Sequence, residues 1–182
     1  MAINIRQARQ LDASEITRII EQSLITSKLQ DDQLESQGFL IYPHTIKDIE
    51  SFILDQENYF VLVAEANNQI IGFAICCDIK MMTDLRSYLA SQPDMSKLAA
   101  SKILYLKQIA KVDGVKGVGH MLMQSILHHA HSENNNYIIS QIAHFLVKNK
   151  RSILFHEKYG FELIAVVEEN SDVTGVYLKT IN

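Results

Sequence analysis

Three of the chain's seven glycines fall within six residues, in the run Gly114-Val115-Lys116-Gly117-Val118-Gly119. A strand-like run, Lys102 to Lys111, precedes them, and an amphipathic run through His131 follows. Strand, glycine loop and helix start together make an anion site on physical grounds. Glycine turns tightly and lets a ligand reach the backbone with no Cβ in the way. The first N–H groups of a helix lack internal partners and stand at its positive end, so a pyrophosphate can accept their hydrogen bonds. Neither nucleotide fingerprint is complete: GxxxxGK followed by Ser or Thr is missing, and Gly117-Val118-Gly119 leads into His120, Met121 and Leu122 with no third glycine. A tight strand-to-helix connection without a ligand would use the same residues, so the loop alone leaves both readings open.

Other chemistry-bearing residues narrow the field. Cys76 and Cys77 are adjacent in an apolar run, which suits strand residues and neither a disulfide framework nor a metal site; no metal is expected. With 17 basic and 21 acidic residues the formal charge is -4, and no basic patch argues for nucleic acid. The start MAINIRQARQL lacks a basic stretch followed by a long apolar one, and no run approaches the ~20 apolar residues that cross a bilayer. The expectation is a soluble cytoplasmic protein with no membrane partner.

The 182 residues, 47% of them hydrophobic, suit one domain spanning 1–182. Ile3 to Ala8 alternates like a strand. A helix follows, with Asp12 as cap, Glu15 completing a capping box, and Ile16, Ile19, Ile20 and Leu24 on one face. Residues 28–44 read as irregular, with an apolar patch from Phe39 to His44 that suits either a substrate contact or a buried connection. Thr45 caps a second helix with Asp48 in its first turn. Residues 59–66 and 69–79 then alternate with period two around Asn67-Asn68, a hairpin. Residues 81–101 are ambiguous, with helical character broken at Pro93. Lys102 to Lys111 is a strand, and the helix after the glycine loop stacks Val118, Leu122 and Ile126. Tyr137 to Leu146 is a strand, Asn149 to Tyr159 a helix closed by Gly160, and two strands end the chain around Asn170-Ser171-Asp172. This order predicts an α/β (α+β) layered domain: a mixed, mostly antiparallel central sheet of about seven strands flanked by helices.

The loop from Gly114 to Gly119 resembles the Q/R-x-x-G-x-G/A loop of the GNAT superfamily, the acyl-CoA-dependent N-acyltransferases. A second run, Asn149-Lys150-Arg151-Ser152-Ile153-Leu154-Phe155-His156-Glu157-Lys158-Tyr159-Gly160-Phe161, is similar to that family's N-x-x-A-x-x-F-Y-E-K-x-G-F helix. The element order resembles the family fold over nearly the whole chain. The resemblance implies an N-acetyltransferase that moves an acetyl group from acetyl-CoA to a primary amine of a small molecule or peptide. It implies that Gly114, Val115, Lys116, Gly117, Val118, Gly119 and His120 hold the coenzyme A pyrophosphate, that backbone at Ile109, Ala110 and Lys111 meets the pantetheine arm, and that Asn149 faces the cofactor. The sheet is expected to splay there, and a homodimer through sheet edges or the C-terminal strands would follow the family.

Three departures bear on the chemistry. Gly114 stands where the family has Gln or Arg. The segment between strand and loop is about two residues short if Ile109-Ala110-Lys111 is matched to the family's I-A-V. The family's tyrosine, which protonates the leaving thiolate, is His156; either His156 or Tyr159, one turn later, could take that role. The strand position where a carboxylate base could stand is Gln108, which leaves His144 and Glu65 as candidates. An acyl-CoA-binding sensor without catalysis is the alternative that Gly114 and His156 keep open.

Overall fold

A computed structural model of the chain describes residues 2–28, 38–144, 147–169 and 172–181. Its strands are β1 (Asn4–Gln7), β2 (Tyr59–Ala66), β3 (Gln69–Asp78), β4 (Ile103–Lys111), β5 (Tyr137–Ala143), β6 (Glu162–Glu169) and β7 (Asp172–Thr180). They form one sheet in the order β1-β2-β3-β4-β5-β7-β6. Only the β4–β5 pair is parallel, as a strand–helix–strand crossover demands.

The helices are α1 (Ala13–Ser23), α2 (Ile25–Lys28), α3 (Ile46–Leu54), α4 (Thr83–Ser91), α5 (Ser96–Ala99), α6 (Val118–Ser132) and α7 (Lys150–Lys158). One face of the sheet packs on α1 and α3: Ile16, Ile19, Ile20, Ile49 and Ile53 meet Val61, Val63, Phe73 and Ile75. The other face packs on α6, whose Val118, Leu122 and Ile126 are fully buried against Leu62, Ala74, Leu106 and Ile142. Strand alternation sends successive residues to these two layers. The ambiguous segment resolves into a 3₁₀ turn (Ile79–Met81), α4 and α5, with Leu85 and Leu89 covering Cys77, Ile103, Ile139 and Val176.

The local signals mostly hold. Asn67 and Asn68 both take positive φ, 51° and 62°, as a two-residue hairpin turn requires. Thr45 Oγ1 accepts from Asp48 N at 3.2 Å, and Asp48 Oδ2 accepts from Thr45 N at 2.8 Å. The cap expected at Asp12 is different. Its Oδ2 accepts from Arg9 N at 2.7 Å and from Arg6 Nη1 at 2.7 Å, closing a 3₁₀ turn (Gln10–Asp12) ahead of α1, and Glu15 pairs with Arg18 instead of completing a box. Arg6 also donates to Glu65 Oε2 at 2.7 Å, so the long-range ion pair outcompetes the local cap. Most of the irregular stretch predicted at 28–44, residues 29–37, lies outside the described residues, as do 145–146 of the predicted strand and the turn residues Asn170 and Ser171.

Candidate active site

The parallel pair opens toward the glycine loop. β4 and β5 pair only at Ile103↔Tyr137, Leu104↔Ile138 and Tyr105↔Ile139. Ser140 Oγ donates to Leu106 O at 3.2 Å at the apex, and beyond it the β5-facing edge of β4 has no strand partner among the described residues. On its other edge β4 stays paired with β3 through Ile109↔Ala74, Ala110↔Phe73 and Lys111↔Gly72, and Val112 N donates to Ile71 O at 2.9 Å. The register of this pairing shifts, with Gln108 opposite Ile75 but Leu106 opposite Cys76. Lys107 is therefore the extra residue of a β-bulge, a device that re-aims side chains beside sites.

At the open end of this wedge the loop turns into α6. Gly114 and Gly117 take φ of +80° and +83°, and a Cβ on either would meet nothing within 4 Å. Both positions need glycine for their backbone, and both leave clear space in front of it. Met121 N donates to Gly117 O at 3.1 Å, the first bond of the helix, so the N–H groups of Val118, Gly119 and His120 have no intrahelical acceptor. Gly72 serves the same junction: a Cβ there would stand 2.5 Å from Val118 Cγ1. Open glycine backbone, unpaired helix N–H groups and an unzipped strand edge fit a thioester carrier with a pyrophosphate. Lys116 is exposed. Lys111 Nζ donates to Val112 O at 3.3 Å.

The site residues expected on the following helix divide. Tyr159 Oη and His120 Nδ1 are hydrogen-bonded, joining α7 to the first turn of α6. Phe155 touches the space beside Gly119 and stands edge-on to Tyr159, with centroids 5.1 Å apart. Burial raises the Tyr159 phenol above its ordinary value, so it is fully protonated at neutral pH. His156, by contrast, is 2% exposed. Its Nδ1 lies 2.7 Å from Ser152 O and its Nε2 is buried without a partner. Burial lowers its pKa from 6.5 to about 4, so the ring is neutral and Nδ1 spends its proton on the helix carbonyl.

That burial has a stability consequence with a definite sign. The unfolded chain binds a proton at His156 at higher pH than the folded chain does. Stability from the neutral ring is complete above pH 6.5 and is lost as the pH falls toward 4, by about 3 kcal/mol over the window. Urea unfolding across this range is expected to show that slope in the native protein, and His156→Leu is expected to flatten it.

His144 follows the end of β5. Its Nε2 is 3.0 Å from Tyr177 Oη, and its ring covers Gly175, where a Cβ would stand 2.4 Å from Nε2. Burial, then Lys148, lowers its pKa. Asn149 is 5% exposed. Its Nδ2 donates to Phe39 O at 2.8 Å and its Oδ1 accepts from Ser152 N at 3.1 Å, capping α7. Both ends of this amide are spent on holding the 38–44 segment to α7. Asn149→Ala is expected to cost about 2 kcal/mol by urea unfolding, from one lost cap and one unsatisfied carbonyl. Glu65 sits on β2, between β1 and β3, and holds Arg6, 26% exposed as a side chain and two strands from β4.

A second group lies on the α3 face at the bulge, and it joins His44 of the Phe39–His44 patch to Gln108, a pairing the sequence did not reveal. Gln108 is 6% exposed; its Nε2 donates to Tyr42 O at 2.7 Å while its Oε1 has no partner. His44 Nε2 is likewise buried without a partner. The polar types were visible in the sequence, but a contact spanning 66 residues was not.

The sequence profile described as Acetyltransferase (GNAT) family matches residues 25–161, and the chain belongs to that family of acyltransferases. No curated protein matches the sequence. Among solved structures, Ard1 of Thermoplasma volcanium is similar at 17% identity and a TM-score of 0.71, covering 100% of this chain and 99% of its own. YncA of Salmonella typhimurium, solved with its cofactor acetyl-CoA, is similar at 16% identity and a TM-score of 0.70, covering 100% and 95%. The ribosomal-protein-S18-alanine N-acetyltransferase of Escherichia coli is similar at 14% identity and a TM-score of 0.66, covering 99% and 94%. These likenesses establish the fold. No helix among the described residues is long and apolar enough to cross a membrane.

Proposed function

We propose that the protein is an N-acetyltransferase that uses acetyl-CoA to acetylate a primary amine of a small molecule or peptide. The observation that carries this reading is the glycine-cleared helix start of α6 facing an unpaired strand edge. Acetyl-CoA supplies the acyl group as an activated thioester. The N–H groups of Val118, Gly119 and His120 hold the pyrophosphate, with Gly114, Val115, Lys116 and Gly117 shaping the loop. The β5-facing edge of β4 at Ile109, Ala110 and Lys111 offers backbone groups to the pantetheine arm.

Acyl transfer needs an uncharged attacking amine, stabilisation of developing negative charge, and a proton for the departing sulfur. Tyr159 is protonated at working pH and hydrogen-bonded to His120, so it is the better donor. His156 is neutral with its one proton committed to Ser152 O, so it shapes the slot without donating. His144 stays neutral beside Tyr177 and lines the end of β5. The similarity to an enzyme named for acetylating a ribosomal-protein alanine supports an amine acceptor. The reading takes 1–182 as one cytoplasmic domain, with no metal and with a homodimer as its assembly.

The test is calorimetric titration with acetyl-CoA, followed by release of the coenzyme A thiol in the presence of an amine panel. Binding followed by amine-dependent release supports the enzyme. The neutral, buried His156 favours one competing reading, a sensor that binds acyl-CoA without turnover. Tight binding with no thiol release from any amine would establish that reading instead.

A further inference from the structure

Beside the bulge in β4, two buried polar atoms have no partner among the described residues, and a lysine stands near them. Lys107 and Gln108, consecutive residues, both turn toward α3: Lys107 Nζ lies 6.0 Å from the Phe52 ring centroid, and Gln108 reaches Tyr42 O. Gln108 Oε1 is an acceptor with no donor, on a side chain more than nine-tenths buried. An orphan of this kind destabilises the fold unless something pairs with it. His44 Nε2 is a second orphan, two residues beyond the carbonyl that holds Gln108. The His44 ring stands edge-on to Phe52 at 5.3 Å, and Phe52 stacks on Tyr59 at 4.5 Å. Lys107 acts on His44 electrostatically and makes no ion pair among the described residues.

The charges facing His44 fall on two elements. From β4 comes Lys107, which together with burial lowers the His44 pKa. From the first turn of α3 comes Asp48, exposed, whose Oδ2 is taken by Thr45 N and Thr45 Oγ1, each at 2.8 Å. A cation and a neutral imidazole therefore share Phe52 as a neighbour, and an amide with a bare oxygen holds the carbonyl two residues before that imidazole, all at the bulge and opposite the layer of α6 and α7. His144 is poorer placed to accept a proton, because its Nε2 already faces Tyr177 Oη at 3.0 Å.

We infer that this cluster is the acceptor subsite and that its ligand is an α-amino acid: the carboxylate on Lys107, the neutral amine between Gln108 Oε1 and His44 Nε2. The inference rests on the acetyltransferase reading. A compact ammonium suits a lone carboxylate as a point charge. The same cation that disfavours protonation of His44 disfavours an ammonium on the ligand, so the amine binds in its attacking form. In the transfer, the amine nitrogen bonds to the acyl carbon and the carbon–sulfur bond breaks. The proton leaving nitrogen passes to His44 Nε2, in the tautomer protonated at Nδ1. The sulfur departs as thiolate and takes a proton from Tyr159 or water.

The test uses phenylalanine and phenylalanine amide, which differ only in the carboxylate. The first readout needs no acyl donor: phenylalanine is expected to move the His44 ring resonance, identified by its absence in His44→Gln, and Lys107→Met is expected to abolish that movement. The second is kinetic. Lys107→Met is expected to raise KM for phenylalanine about tenfold more than it raises KM for the amide, and this difference is expected to be rescued by Lys107→Arg. A His44 resonance indifferent to phenylalanine, or equal KM effects on acid and amide, would overturn the inference while leaving acetyl transfer intact. Coenzyme A binding without transfer to any amine would overturn the enzyme reading; the resonance readout still decides whether the subsite exists.

Discussion

Gly117→Asp is expected to weaken coenzyme A binding roughly a hundredfold or more, about 2.7 kcal/mol, with the fold retained. The two halves of this expectation have separate causes. Gly117 sits at φ +83° and ψ -19° as the residue preceding α6. Aspartate tolerates that left-handed conformation better than most residues, at a cost of about 1 kcal/mol. Its Cβ would meet no protein atom within 4 Å, and its carboxylate can accept bonds from the N–H groups at the start of the helix. Those are the same groups a pyrophosphate needs. The variant fills the cradle with a tethered anion that competes for the donors and repels the ligand. Calorimetry with acetyl-CoA beside a thermal melt separates binding from folding. Gly117→Ala, which adds bulk without charge, is expected to fall between the variant and the native protein. Undiminished binding by the aspartate variant would mean that the loop is only a connection.

The legibility of this loop in the sequence has a physical basis. Glycines at positive φ, helix starts and two-residue turns are dictated by a few neighbouring residues, so Gly160 and the Asn67-Asn68 turn read correctly from local chemistry. The order of elements along the chain followed from the alternation of periods, while the order of strands within the sheet did not. Asp12 failed as a cap for the opposite reason. Its partner Arg6 lies on β1 and is itself held by Glu65 on β2, a triad that exists only once the sheet edge has formed. The bulge at Lys107 was equally hidden, because a bulge is a mismatch between two strands and neither strand carries it alone.

The chemistry of the site divides along the same line. His156 occupies the position of a proton donor in the family pattern, yet its exposure of 2% and the Ser152 carbonyl make it a neutral packing residue. No spacing rule distinguishes a buried histidine from a poised one; the difference lies in what α7 packs against. Gln108 looked like the loss of a carboxylate. In three dimensions it is an unpaired acceptor beside a cation and a second unpaired ring nitrogen, and that convergence draws on β4 and the segment before α3. Neutral polar residues around a bulge are the type of group that local pattern reading passes over, since none has a fixed spacing to its neighbours.

Tyr159→Phe is expected to lower kcat about a hundredfold, the lower end for a general acid, with coenzyme A affinity unchanged. The lower end applies because a thiol of pKa about 8.5 leaves without a strong acid. The donor must still carry a proton when the sulfur departs. Tyr159 does so throughout the neutral range, since burial moves its phenol upward, whereas His156 would have to be charged in a site that depresses its pKa to about 4. His156→Leu is accordingly expected to hold kcat within about threefold at pH 7.5 while changing stability in acid. The two variants therefore separate on different axes, one in turnover and one in the pH dependence of unfolding. His120→Ala is expected to fall between them, because it removes the partner that orients the Tyr159 hydroxyl but leaves the proton. If His156→Leu were the slow variant and Tyr159→Phe the fast one, the helix would have to move on binding, so that the buried ring rather than the phenol faces the sulfur. Pre-steady-state thiol release with both variants would register that reversal directly.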